Sequence, residues 1–377
     1  MPLTRQQICQ SAARKLSTAI PALGSMNAMI GLDGFVDEII AVVAKRFDKD
    51  RYEAMKTIAV LGEKILAAAG QSSNYELLVK QTKLGGNGPI MANALAAAGL
   101  AVTYVGNLGY PVIHPVFAEL ANRAKVISIA EPGHTDALEF EDGKLMFGKH
   151  QTLGDISWDN LLQRVGKDAL IKMVGGAKLI GFVNWTMLSN MSDIWSKLQT
   201  EILPHCARGD RTFFIDLADP EKRTVTDISD ALIILGRFQP FVNVILGLNL
   251  KESDQIASAL GITVPADSEP MIEQTAKSIR QKLGISCVVI HPRKGAAAAT
   301  AEETARFSGP FVEKPKISTG AGDHFNAGFC LGRILGLSLE ESLCTGVGTS
   351  GYYVRSAQSP SGKQLAEFVA ELPPPQG

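Results

Sequence analysis

Short apolar runs, each about the length of one strand, alternate along this chain with stretches spaced like amphipathic helices. The runs Ala28–Leu32, Val102–Gly106, Leu179–Val183, Phe213–Leu217, Val242–Leu246 and Cys287–His291 are mostly apolar, which predicts strands covered on both faces. Between them Ile90–Ala98, Val116–Ala124, Ile194–Ile202 and Met271–Leu283 predict helices. The rhythm is that of a βαβ series, so an α/β fold with a mainly parallel sheet is expected. Ligands on such sheets bind beyond the carboxyl ends of the strands.

Three segments break the rhythm. Residues 34–47, 75–84 and 135–150 read as extended ribbons, the last a hairpin around Glu141-Asp142-Gly143-Lys144. They predict a small sheet projecting from the main body, which could serve as a dimerisation surface. At the amino end Ile8, Ala12, Leu16 and Ile20 share one helical face, predicting an amphipathic extension over about residues 3–21, ended near Pro21. It lacks the apolar centre of a signal peptide and is far too polar to span a bilayer. The P-P-P-Q-G tail is expected to fray.

Composition narrows the function. The chain has 377 residues, 46% hydrophobic and 20% charged, ample for a large core and read as one domain over 1–377. Lys and Arg number 37 against 38 Asp and Glu, giving a net charge of −1 and no footprint for nucleic acid or an anionic membrane. The five cysteines have no C-x-x-C spacing, which suggests reduced thiols in a cytoplasmic protein rather than disulfides or zinc. The six histidines show no ligand spacing.

The most specific chemistry lies in S-T-G-A-G-D-H-F-N-A-G-F, Ser318 to Phe329. Gly320, Ala321 and Gly322 carry little side chain and precede a helix, so their amides and the helix dipole favour an anion. Asp323 beside an anion hole is costly unless it takes a proton from a hydroxyl attacking a phosphate. The plainer reading is a turn with an aspartate cap. Phe325 and Phe329 at i, i+4, with Ala327, Gly328 and Gly332 as small positions, favour a buried helix.

This stretch resembles the carboxyl-terminal signature of the ribokinase-like (PfkB) carbohydrate kinases, D-T-x-G-A-G-D-x-F-x-A-G-F. Thr319 fits it, while Ile317 stands where the family has Asp and Ser318 where it has Thr. Four weaker motifs follow in the family's order. I-G-L-D-G-F-V-D-E-I (Ile30–Ile39) offers Asp33 and Asp37 for acceptor hydroxyls, Asp37 fitting the V-D-E-I run better. K-L-G-G-N-G-P (Lys83–Pro89) resembles the amino-terminal G-G signature through Gly85 and Gly86. Ile90 replaces the usual Asn, and Asn87, one turn earlier, is expected to take over contacts. L-N-L-K-E-S-D (Leu248–Asp254) carries N-x-x-E at Asn249 and Glu252, which the resemblance assigns to Mg²⁺ through water, although the spacing also suits a capping box. In V-V-I-H-P-R-K-G-A (Val288–Ala296) Gly295 matches the nucleotide wall, Ile290 and Pro292 do not, and Arg293 and Lys294 could meet phosphates. No G-x-x-x-x-G-K-[ST] loop is present.

The resemblance implies a three-layer α/β/α core with a β-sheet lid, Tyr52–Gly70 and the amino-terminal helix being additions. It implies an ATP- and Mg²⁺-dependent kinase acting on a hydroxyl of a sugar or sugar-like acceptor. Asp323 would be the base and Gly320–Gly322 the anion hole, with Asn249, Glu252, Gly295 and Thr319 on the nucleotide and metal side. Asp33 or Asp37 with Gly85, Gly86 and Asn87 would hold the acceptor, and a homodimer could form through the lid. The rivals are a nucleoside kinase using Phe35 or Phe147 for base stacking, and a binding protein that has lost turnover.

Overall fold

The computed structural model describes residues 3–207 and 209–376. The strands, in chain order, are β1 (Asn27–Leu32), β2 (Phe35–Arg46), β3 (Tyr52–Ala54), β4 (Leu77–Gly85), β5 (Ala101–Gly106), β6 (Lys125–Ser128) and β7 (Gly133–Phe140). They continue as β8 (Gly143–Lys149), β9 (Leu179–Phe182), β10 (Thr212–Asp216), β11 (Asn243–Leu248), β12 (Cys287–Ile290), β13 (Gly295–Ala299) and β14 (Thr304–Ser308). Nine of them form one sheet in the order β14-β13-β12-β11-β10-β9-β1-β5-β6. From β6 to β12 every pairing is parallel, and β13 and β14 close the edge as an antiparallel hairpin.

Side chains of β12 show why the runs are mostly apolar. Val288 and Ile290 enter one hydrophobic cluster, Cys287 and Val289 another on the opposite face. Trp158, Trp195 and Leu232 cover the first face. The second lies under the helices Arg5–Leu23, Asn87–Ala98, Ala321–Ile334 and Leu339–Ser356. Helices on both faces and loops at the strand ends give the expected three layers.

The three ribbons form the second sheet, in the order β3-β2-β7-β8, with β4 also paired to β2. β2 runs parallel to β7 and antiparallel to β4, placing Asp37 level with Lys83 on one side and Thr135 on the other. β7 and β8 form the hairpin, turning at Glu141-Asp142. Tyr52–Gly70 supplies β3 and the helix Ile58–Ala67, whose Leu61 packs with Ile40, Val42, Met55 and Leu138 under this sheet.

One expectation changes. The amino-terminal helix does not stop at Pro21 but runs through it to Leu23, capped at Thr4 by a capping box with Gln7. Proline removes one donor in the last turn, and burial of Leu23 outweighs that cost. The stretch G-A-A-A-A is strand β13, although alanine favours helix. All four of its alanines are fully buried, and their small side chains admit close-packed neighbours.

Candidate active site

β1 ends at Leu32, and the next residue, Asp33, is completely buried. Its carboxylate accepts from the backbone N–H groups of Asn87 (2.9 Å) and Gly88 (2.8 Å), the first turn of the helix Asn87–Ala98. A third donor is Asn184 Nδ2 at 2.8 Å, and the Tyr104 hydroxyl donates to the Asp33 carbonyl. Burial pushes Asp33 up to about 6, against these donors. These three donors make Asp33 a clamp on the G-G-N loop, with one carboxylate lone-pair site left over. The cap, Gly86, has φ +98, where a side chain would be strained.

That clamp aims Asn87. Its Nδ2 donates to Asp323 Oδ1 at 2.9 Å, joining the helix Asn87–Ala98 to the first turn of the helix Ala321–Ile334. Asn87 is thus engaged with Asp323, one turn before Ile90. Ile90 instead packs over Gly320: a Cβ there, already strained at φ +88, would lie 3.3 Å from Ile90. Asp323 is 8% exposed, and desolvation drives its carboxyl up to about 7. The Asn87 bond opposes this, while the charges of Asp33 and Glu252 add to it.

The glycine loop is tied back by its carbonyls. Gly320 O lies 2.8 Å from His324 Nδ1, Thr319 O accepts from the Tyr353 hydroxyl at 3.1 Å, and the His324 and Tyr353 rings stack at 3.6 Å. One amide of the expected anion hole is already spent, since Ala321 N–H donates to Ser318 O at 3.2 Å. The N–H groups of Gly320 and Gly322 meet no acceptor among the described residues.

A second acidic centre faces this loop. Asn249 and Glu252 form a complete capping box on the helix Leu250–Ala259, so Asn249 Oδ1 is committed to the helix. Glu252 is nevertheless buried, and its second oxygen accepts from Asp219 N–H at 2.8 Å. Asp216, ending β10, accepts from Ala218 N–H (2.8 Å) and Asn326 Nδ2 (2.8 Å). Ala218 and Asp219 both take positive φ, 57° and 62°, so one left-handed turn aims successive N–H groups at two carboxylates. Desolvation raises Asp216 well above the usual carboxylate range, and the charges of Glu252 and Asp323 add to it. Buried carboxylates that repel one another, with only Lys251 acting on Glu252 in opposition, fit a divalent metal. No three acidic, histidine or cysteine side chains converge tightly enough to ligate one directly among the described residues, and both Glu252 oxygens already accept N–H bonds, which suits contact through metal-bound water.

Asp37 lies on strand β2 of the smaller sheet, over Gly85, where any Cβ would collide with its carboxylate. Burial raises its pKa against a hydrogen bond from Thr135 and the charge of Lys83. Gly295 opens β13, where a Cβ would meet Phe307 O at 2.6 Å, so strand pairing alone requires a glycine there. Thr319, Arg293 and Lys294 are exposed. Phe35 is buried against His150, their rings 5.5 Å apart, and is not free to stack on a base; Phe147 is exposed on β8.

Asp216, Asn184 and His291 were not identified from sequence. Asp216 had a signal, an acid closing a buried strand in F-F-I-D-L. His291 follows β12 with its Cε1 3.4 Å from where a Gly322 Cβ would sit, and burial lowers it to about 4, leaving the ring neutral. No pattern announced Asn184, whose role depends on φ +64.

A family model described as prokaryotic ketohexokinase matches residues 5–372. The ketohexokinase of Haloferax volcanii is 29% identical over 346 residues, covering 91% of each chain. Arabidopsis thaliana ribokinase, solved with ribose and ATP, superposes with a TM-score of 0.63 at 17% identity, covering 92% of this chain and 99% of its own. Adenosine kinase of Sinorhizobium meliloti gives 0.60 at 18% identity, with the same coverage. The fold is thus ribokinase-like, and among the described residues no helix is long and apolar enough to cross a membrane.

Proposed function

The chain belongs to the prokaryotic ketohexokinase family and is a carbohydrate kinase; from that premise we propose that it transfers the γ-phosphoryl group of ATP to a hydroxyl of a ketohexose, with Asp323 as base. The observation that carries this is the Asn87–Asp323 hydrogen bond, which joins the acceptor-side G-G-N loop to a carboxylate in the first turn above the glycine loop.

In this reading Asp37 and the Gly85–Asn87 loop hold the sugar hydroxyls. The Asp323 carboxylate takes the proton of the attacking hydroxyl as its oxygen bonds to phosphorus and the bond to the departing ADP oxygen breaks. The amides of Gly320 and Gly322 stabilise charge on the transferring group. Asp216 and Glu252 would hold Mg²⁺ through water; bound there, the ion neutralises phosphate charge. The chain's own work is positioning and exclusion of water.

The ketohexokinase likeness spans nearly the whole chain, whereas adenosine kinase shares only the fold, so a sugar acceptor is favoured over a nucleoside. Buried Phe35 agrees with this. Retention of Asp323 and of two free loop amides argues for turnover rather than binding alone.

The test is Asp323→Asn, assayed by ATP consumption with a ketohexose, an aldohexose and a nucleoside. The wild type should turn over the ketohexose best. The variant should lose roughly 10²–10⁴-fold in kcat, the usual worth of general-base catalysis, with little change in KM for ATP. A variant keeping more than about half the wild-type kcat, with chemistry rate-limiting, would remove Asp323 from this role.

A further inference from the structure

A second cavity, of about 490 Å³, opens at the opposite edge of the central sheet, where β10, β11 and β12 begin. Its wall includes Thr212, Asn243 and Cys287 at those strand starts, far from the carboxyl ends that carry Asp216 and Asn249. The volume falls in the range that accepts a small metabolite.

Its charge is uneven with depth. Arg280 and Arg333 flank Cys287, near enough that both guanidinium charges act on the buried thiol. Lys178 stands at the rim. None of the three lies within 4.0 Å of a carboxylate among the described residues, although the surface elsewhere is rich in ion pairs. Each arginine spends one Nη1 on a backbone carbonyl, Ile285 O for Arg280 (3.2 Å) and Leu337 O for Arg333 (3.1 Å). The Arg280 Nε is buried with no acceptor. A guanidinium N–H kept out of water without an acceptor is costly unless a ligand supplies one. The two lining carboxylates, Asp210 and Glu302, are exposed, and Asp210 is engaged by Asn243 Nδ2 at 2.9 Å.

We propose that this cavity is a binding site for a small phosphate-bearing anion, held by Arg280 and Arg333 with Lys178 at the mouth. The planar fork of arginine presents paired N–H donors matched to phosphoryl oxygens. The site is separate from the transferring phosphate. Two elements span the distance between them: Arg333 stands in the last turn of the helix whose first turn carries Asp323, and β12 runs from Cys287 to the residue before His291.

Calorimetry with the full chain tests this, with the catalytic site first saturated by Mg²⁺ and a non-hydrolysable ATP analogue. Inorganic phosphate and glycerol phosphate are titrated separately at fixed ionic strength, with chloride as control. Binding of at least one is expected; the tighter of the two says whether free phosphate or an ester is the ligand. Arg280→Gln with Arg333→Gln should weaken it by roughly tenfold or more, the loss expected for charge-assisted hydrogen bonds. Lys178→Glu, at an exposed position that folding tolerates, should weaken it several-fold while kcat at saturating substrates stays unchanged. No binding of either anion to the saturated enzyme, or binding indifferent to Lys178→Glu and to the arginine variants, overturns the proposal.

Discussion

Asp323 is held where its ionised form is unfavourable, and the cause is burial rather than any single neighbour. Its raised pKa has two consequences of opposite sign for folding and for rate. As a base it must be charged, so kcat/KM should fall as pH drops through about 7. For stability, the native carboxyl stays protonated where the unfolded one has ionised, so its contribution is lost as pH rises toward and through about 7. Asp323→Asn should therefore raise Tm at about pH 8 while lowering kcat. The rise from an ordinary 3.8 to about 7, at about 1.4 kcal/mol per pH unit, caps the gain near 4 kcal/mol. An unchanged or lower Tm in denaturation scans would show that the carboxylate is better solvated than its burial implies. The two acids near β1 should separate in the same way. Asp33→Ala leaves two helix N–H groups without their acceptor and should cost about 2–4 kcal/mol of stability. Asp37→Ala should spare stability and raise the acceptor KM, with a binding loss of about 1.5–3 kcal/mol. Equal stability losses would merge the two roles.

At the scale of elements, what could be read from sequence was whatever periodicity or spacing encodes. The six apolar runs became parallel strands within two residues of their expected ends because burial on both faces demands mostly apolar side chains. The ribbons were legible as extended and as a separate sheet. The two glycine turns were legible because the positive φ of Gly86 and Gly320 favours that residue. β13 was hidden by its alanines, and the clamp around Asp33 by its dependence on partners such as Asn184, which lies 151 positions away. Asp216 was missed because an acid closing a strand says nothing about the left-handed turn after it, and there Ala218 and Asp219 take a conformation their sequence does not favour. That turn yields a clean test of the metal reading. In Asp216→Asn the Oδ1 can still accept from Ala218, and Asn326, whose Oδ1 has no partner, can turn its amide to accept from the new Nδ2. Charge is removed and packing kept. The Mg²⁺ concentration for half-maximal rate should rise several-fold with Tm unchanged or higher, whereas an unaltered magnesium titration would reduce Asp216 to a turn-holding residue.

Across the whole molecule the active centre works against the fold. The native chain gathers Asp33, Asp216, Glu252 and Asp323, all pushed upward, at one edge of a sheet whose interior is otherwise apolar. Buried His291 and His324, lowered to about 4, act in the other direction: the unfolded chain protonates them first, so their penalty fades as pH rises to about 6.5. Above that value the carboxylates are left unopposed by histidine. Stability should accordingly decline between about pH 6.5 and 8. Mg²⁺ with a non-hydrolysable ATP analogue should reverse the decline, because a cation among these carboxylates favours their charged forms. The Tm gain on adding both should be larger at about pH 8 than at about pH 6.5, with the difference shrinking in Asp216→Asn. A ligand-induced gain independent of pH would mean that the acidic centre stays protonated in the bound state, and the metal would then have to sit elsewhere.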